Sequence, residues 1–188
     1  MGMLLGVVRR FMGLSTDTKP TSVPFGSEFF EENTGVTYVY SSAGWVLRYG
    51  KSVLTPEGWV AILLKNSTGA ATVKGSVVHS GSGNAEVILI TDGIPDAIGV
   101  FYDSGVADGQ LALVVVCGVA DVYYVGNTTA GHLARTFIGS EAGYVTGRAL
   151  SEAVPTSPFA SDKHFCEIGH VIESRVGAGL ARTVLHFN

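Results

Sequence analysis

Leu111-Ala112-Leu113-Val114-Val115-Val116-Cys117-Gly118-Val119-Ala120-Asp121-Val122-Tyr123-Tyr124-Val125 is the run that decides the fold class. Valine and tyrosine pack well on a pleated surface, whereas β-branched side chains lose rotamer freedom in a helix. The turn pair Asp108-Gly109 precedes the run and Gly118 divides it, which predicts strands over 111–117 and 119–125. The run also falls short of the ~20 apolar residues needed for a membrane span, as does every other stretch of the chain.

Working outward, short apolar segments alternate with glycine-containing turns on both sides. Val77-Val78 precedes the turn Gly81-Ser82-Gly83-Asn84, Glu86 to Thr91 is a predicted strand, and Ile98 to Tyr102 is another. His132 to Phe137, Tyr144 to Ala149, Ile168 to Glu173 and Thr183 to Phe187 complete the set. Ser151 to Lys163, with Pro155 and Pro158, reads as a long irregular loop. Short strands at such spacing predict an all-β barrel or sandwich of antiparallel strands.

One repeat stands out. Ile98-Gly99-Val100-Phe101-Tyr102-Asp103-Ser104 and Ile168-Gly169-His170-Val171-Ile172-Glu173-Ser174 align at an offset of 70, as do Val106 with Val176, Gly109 with Gly179, and Val114 with Val184. Each copy reads as strand, wide glycine turn, strand: a hairpin used twice.

Before this region, Ser27 to Glu31, Val36 to Tyr40 and Trp45 to Leu47 form two linked hairpins around Glu32-Asn33-Thr34-Gly35 and Ser41 to Gly44. Trp59 to Leu64 is a further apolar run. Pro20 and Pro24 keep residues 15–24 extended as a linker. Leu4, Leu5, Val8 and Phe11 fall at roughly helical spacing, but three glycines in residues 1–14 weaken an isolated helix. A flexible arm that orders against a partner fits equally well. Burying those four side chains on a neighbour would contribute ~6–12 kcal/mol, so they are the expected partner-binding residues. The expected organisation is an arm and linker over 1–23, a β-hairpin module over 24–64, and a barrel domain over 65–188.

Composition excludes several classes of function. Apolar residues make up 46% and charged residues 15%, so the chain is not a solvated disordered protein. Glycine occurs 25 times and lysine only five, which gives a turn-rich chain whose sparsely charged surface suits another protein. The net charge is −4 and Arg9-Arg10 is the sole adjacent basic pair, so no nucleic-acid partner is expected. The opening Met1 to Val8 has an apolar core too short for a signal peptide, with its arginines on the wrong side. Gly6 stands where a myristoylation motif needs Ser or Thr. The expectation is a soluble product made in a cytoplasm, with no membrane partner.

Reactive side chains form no established motif. Cys117 and Cys166 are too few for a disulfide framework and read as small buried apolar groups. His164, Cys166 and His170 carry donor atoms suited to zinc, but strand alternation would set Ile168 between them, which favours burial. Cys166 with His132, His164 or His170 could form a nucleophile pair, although nothing near Cys166 resembles a helix start. No Gly-x-Ser-x-Gly is present. His79 and His186 complete the histidines. Asp92 and Asp96 bracket a turn, as Glu31-Glu32 borders one, and these acids read as solvated. The glycines at 81–83 and 126–131 read as connectors, because neither group opens a helix. Phe29, Phe30, Tyr38, Tyr40, Trp45 and Trp59 read as core filling, with sugar stacking as the alternative. No catalytic residue, cofactor or metal is expected, and the chain reads as non-enzymatic.

Two stretches resemble known virion proteins. Pro24-Phe25-Gly26-Ser27-Glu28-Phe29-Phe30-Glu31, Gly35 to Tyr40 and Trp45-Val46 are similar to a β-hairpin module of tailed-phage virion proteins. Ile98-Gly99-Val100, Asp108-Gly109, Leu113 to Val116, Gly118-Val119-Ala120-Asp121-Val122, Gly131-His132-Leu133, Ile168-Gly169 and Leu185 to Asn188 resemble the β-domains of phage capsid decoration (cement) proteins. The resemblance implies a virion protein on the capsid surface, assembled in the host cytoplasm, that binds the major capsid protein and itself as a homotrimer. It supplies no catalytic residues. The simplest decoration proteins lack the hairpin module, which leaves a head-fibre or tail component contacting host glycans as an alternative. A small cysteine hydrolase is the second.

Overall fold

The computed structural model describes residues 7–33, 36–47, 52–94, 96–137, 141–154 and 166–186. Its described residues form fourteen strands and no α-helix, so the chain is all-β, as its sequence predicts. Two compact units divide at Lys51/Ser52. The expected boundary after residue 64 falls instead inside a strand of the second unit.

In the first unit, β1 (Arg10–Gly13), β2 (Glu28–Glu31), β3 (Thr37–Ser41) and β4 (Gly44–Leu47) form one sheet in chain order. The β3–β4 turn is tight because Gly44 takes a φ of 89°, which a side chain would disfavour. β1 corrects the reading of residues 1–14. Its described part is a strand pairing parallel to β2, with Phe11 opposite Phe29, and the exposure alternates along it. A period of two has displaced the helical one because the β2 edge offers Arg10–Gly13 a hydrogen-bonding partner.

The linker is likewise fastened within this unit. The Trp45 indole N–H donates to the Pro20 carbonyl at 2.6 Å, and the Tyr40 hydroxyl donates to the Thr21 carbonyl. Lys19 reaches the buried Glu31 at 2.7 Å and lies 4.3 Å from the Tyr38 ring centroid. A desolvated cation between a carboxylate and an aromatic face is well compensated.

The second unit is a ten-stranded sheet built around one long strand. β5 (Ser52–Leu54), β6 (Val60–Asn66), β7 (Val77–Ser80), β8 (Glu86–Leu89) and β9 (Ala97–Phe101) precede β10 (Leu111–Tyr124). β11 (Leu133–Arg135), β12 (Leu150–Glu152), β13 (Glu167–Val171) and β14 (Gly179–Leu185) follow it. β10 does not break at Gly118, which takes a φ of 101°. Leu111–Cys117 pairs with β6, and the adjoining Gly118–Tyr124 pairs with β14. A strand that changes partners at a glycine is how a sheet turns a corner. Because β6 also pairs with β8, the pairings β10–β9–β7–β8–β6–β10 close on themselves.

The strand order β12-β11-β13-β14-β10-β9-β7-β8 reads the same from either end. β7–β10 and β11–β14 are two copies of one four-stranded unit, each ordered second, first, third, fourth. The repeat visible in sequence is therefore the second half of a larger one. The copies share a bulge: Ile98 is the extra residue between the pairs Val78↔Gly99 and His79↔Ala97. Ile168 is the extra residue between Ala134↔Gly169 and Arg135↔Glu167.

Tyr144 to Ala149, expected as a strand, is a pair of turns ending in a single bridge from Ala149 to Tyr124. Gly143 and Gly147 both take positive φ, which extended pairing does not permit. The Gly147 amide donates to the Ile90 carbonyl at 2.9 Å, and its carbonyl accepts from Val77 at 2.9 Å. The main core runs from Val77, Val100 and Val115 through Tyr124 to Ile168, Val171 and Leu185. Tyr124 and Thr183, both fully buried, share a hydrogen bond of 2.6 Å across β10 and β14.

Candidate functional site

Of the expected partner-binding set, Val8 and Phe11 are among the described residues. Leu4 and Leu5 lie outside the described residues. Phe11 is half-buried and stands edge-on to Trp45 of its own unit at 6.2 Å. Phe29 and Tyr40 also pack against Trp45, at 6.0 and 5.2 Å. Val8 keeps half its surface in solvent, and Met12 is 68% exposed on the outer side of β1.

Cys166 is 5% exposed, Cys117 is exposed, and both are free thiols. His132 Nδ1 lies 3.3 Å from the Ser151 hydroxyl. His164 lies outside the described residues, so the expected trio with Cys166 and His170 is not assembled among them.

A different trio is. Glu167 and His170 on β13 meet His186, which directly follows β14. His170 Nδ1 lies 2.7 Å from His186 Nε2, and Glu167 Oε1 lies 3.5 Å from the first and 3.3 Å from the second. The Glu167 side chain is 3% exposed, while the imidazoles of His170 and His186 are 45% and 41% exposed. A buried carboxylate at the base of two half-exposed imidazoles is a donor set of the kind that holds zinc-type divalent ions.

The bulge explains why sequence reasoning missed this grouping. Uninterrupted alternation puts residues 166, 168 and 170 on one face. The extra residue Ile168 turns fully into the core and shifts the phase, so Glu167 and His170, three residues apart, converge. The available signal was Gly169, since a glycine inside a strand often marks a bulge.

Beside Glu167 in the β11–β13 register, the buried Arg135 makes a fork to Glu141 at 2.7 and 2.8 Å and a third bond to Glu152. Burial pulls this guanidinium down, but the two carboxylates outweigh it and hold the pKa above its ordinary value. Its charge is fully engaged in joining β11, β12 and the following turn. The glycines at 81–83 are also occupied from within. The Gly83 amide donates to the Glu86 carboxylate at 2.6 Å and Ser67 donates at 2.9 Å, which lowers the Glu86 pKa.

No protein-family model matches the chain, and no curated protein matches it. Among solved structures, it is similar to the "head fiber gp8.5 N base in bacteriophage phi29", at 14% identity and a TM-score of 0.39. The match covers 69% of this chain and 95% of that one. Likeness at that level assigns no role.

Proposed function

We propose that this chain is a non-enzymatic structural subunit of a tailed-phage virion, bound to the outer face of the capsid as a decoration protein. The observation that carries the reading is a surface with little charge and largely exposed apolar side chains. Val176 is 89% exposed at the β13–β14 turn, Leu54 is 70% exposed on β5, and Val7 and Met12 are 81% and 68% exposed in the first unit. With charged residues at 15% of the chain, such side chains are better suited to burial against other subunits than to water. The resemblance of its motifs to those of decoration proteins favours a capsid-surface location, the major capsid protein as partner, and a homotrimer as the assembled form. The burial of Cys166 argues against its use as a nucleophile.

The glycan-contacting alternative is favoured by one observation: Phe25 is 66% exposed and lies 6.1 Å from the Tyr40 ring. Electron microscopy of particles carrying and lacking the protein separates the two. Difference density at symmetric positions on the shell is expected. Density confined to fibres or the tail favours the alternative, and failure to associate with particles sinks both.

A further inference from the structure

We propose that Glu167, His170 and His186 form a binding site for one divalent ion of the zinc type. The separations of 2.7, 3.3 and 3.5 Å define a triangle whose circumscribed circle has a radius of about 1.9 Å. A point about 1 Å off the plane of that triangle is therefore about 2.1 Å from all three donors, which matches zinc–nitrogen and zinc–oxygen bonds. Two edges come close to the ~3.4 Å expected between tetrahedral zinc ligands. The third, between the imidazoles, is shorter, and both rings are exposed enough to part by the difference.

In the absence of an ion the two imidazoles share a hydrogen bond, 2.7 Å between His170 Nδ1 and His186 Nε2. On binding, the proton between His170 Nδ1 and His186 Nε2 moves to the outer nitrogen of its ring or is released, leaving both inner nitrogens as donors. The open side of the site is completed by water.

At the offset of 70, the other copy carries Ala97, Val100 and Val116 in place of Glu167, His170 and His186. Ala97 and Val100 line the main core, which receives Ile168 and Val171 from this copy instead, so the three donors lie on a face turned away from that core. An ion at this point ties β13 to the residue that ends β14.

The test uses the untagged full chain, stripped of metal and titrated with zinc and with cobalt. Expected are one zinc per chain, visible cobalt absorption of a low-coordinate nitrogen–oxygen site, and a melting temperature that rises with zinc. His186→Ala and His170→Ala, both at half-exposed side chains, should weaken binding by more than the ~10–100-fold that loss of an outer-sphere partner costs. Glu167→Gln should do the same, while His132→Ala and Cys117→Ser should bind as the parent does. The site is overturned if the parent binds no zinc at micromolar concentration, if both histidine variants bind as tightly as the parent, or if Cys117→Ser alone abolishes binding.

Discussion

Ile98 and Ile168, seventy positions apart, are each the extra residue of a β-bulge and are each followed by a glycine at which the next strand presses close. A Cβ on Gly99 would lie 2.4 Å from Val114 Cγ1 and 2.7 Å from the Val115 carbonyl oxygen. On Gly169 it would lie 2.0 Å from the Val184 carbonyl oxygen, at a φ of 154°. Ile168 turns fully into the core while Ile98 is only partly buried, and in both copies the glycine lets the neighbouring strand approach.

Gly169→Ala should accordingly be among the most damaging single substitutions in the chain. Its added methyl meets backbone, which cannot rotate away, so a loss of ~3 kcal/mol or more is expected. Gly99→Ala should cost somewhat less, because the nearest atom is a valine methyl. Gly109→Ala has open space and only an unfavourable φ of 79°, so ~1 kcal/mol is expected. Urea denaturation of the three variants checks the order, and equal losses would sink the close-approach account.

The strands were legible because Val114 to Val116 and Val119 to Val122 declare a pleated surface, and Gly99 and Gly169 made the hairpin repeat visible. The rest of the repeat was not, because Val77-Val78 and Leu133-Ala134 share only apolar character; their likeness lies in their pairing. The role of Glu167 is likewise hidden in the sequence: its meeting with His186 depends on a phase shift at Ile168 that a period-two reading cannot contain. The first fourteen residues misled differently. Val8 and Phe11 fit a helical stripe, and only the parallel edge at Phe29 decides for a strand.

Tyr102 and Glu57 make stability depend on pH at the alkaline end. The Tyr102 hydroxyl donates to the Glu57 carboxylate at 2.9 Å. Burial, and then this bond, push its pKa up to about 12 from 10.0. The folded state therefore holds a proton that the unfolded chain loses first, so the contribution is complete below pH ~10 and is lost as pH rises towards ~12. Glu57 responds in the opposite sense: hydrogen bonds from the backbone, Thr55 and Tyr102 lower its pKa, so its contribution fades as pH falls through the acid range. Tyr102→Phe should flatten the alkaline decline and remove one late-titrating tyrosinate from the ultraviolet absorbance. An unchanged titration curve would refute the assignment.

Phe11, which the sequence offers to a partner, is half-buried within its own unit. Its ring stands edge-on to Trp45, and its strand is held to β2 by hydrogen bonds from the Glu28 amide to the Arg9 carbonyl and from the Glu32 amide to the Gly13 carbonyl, each 2.9 Å. Truncating a half-buried aromatic removes part of the ~3–5 kcal/mol that a fully buried one costs, so Phe11→Ala should weaken the first sheet by ~1–3 kcal/mol. Hydrogen exchange should quicken at the Glu28 and Glu32 amides, and the fluorescence of Trp45 should shift as its edge partner is lost. The second unit supplies the control: Val100, Val115 and Ile168 draw their cover from its own strands, so exchange there should be unaffected. Met12→Ala, on the outer side of the same strand, should leave exchange unchanged and weaken only attachment to other subunits. If Phe11→Ala alters neither exchange nor fluorescence while abolishing attachment, β1 is an arm that belongs to a neighbour.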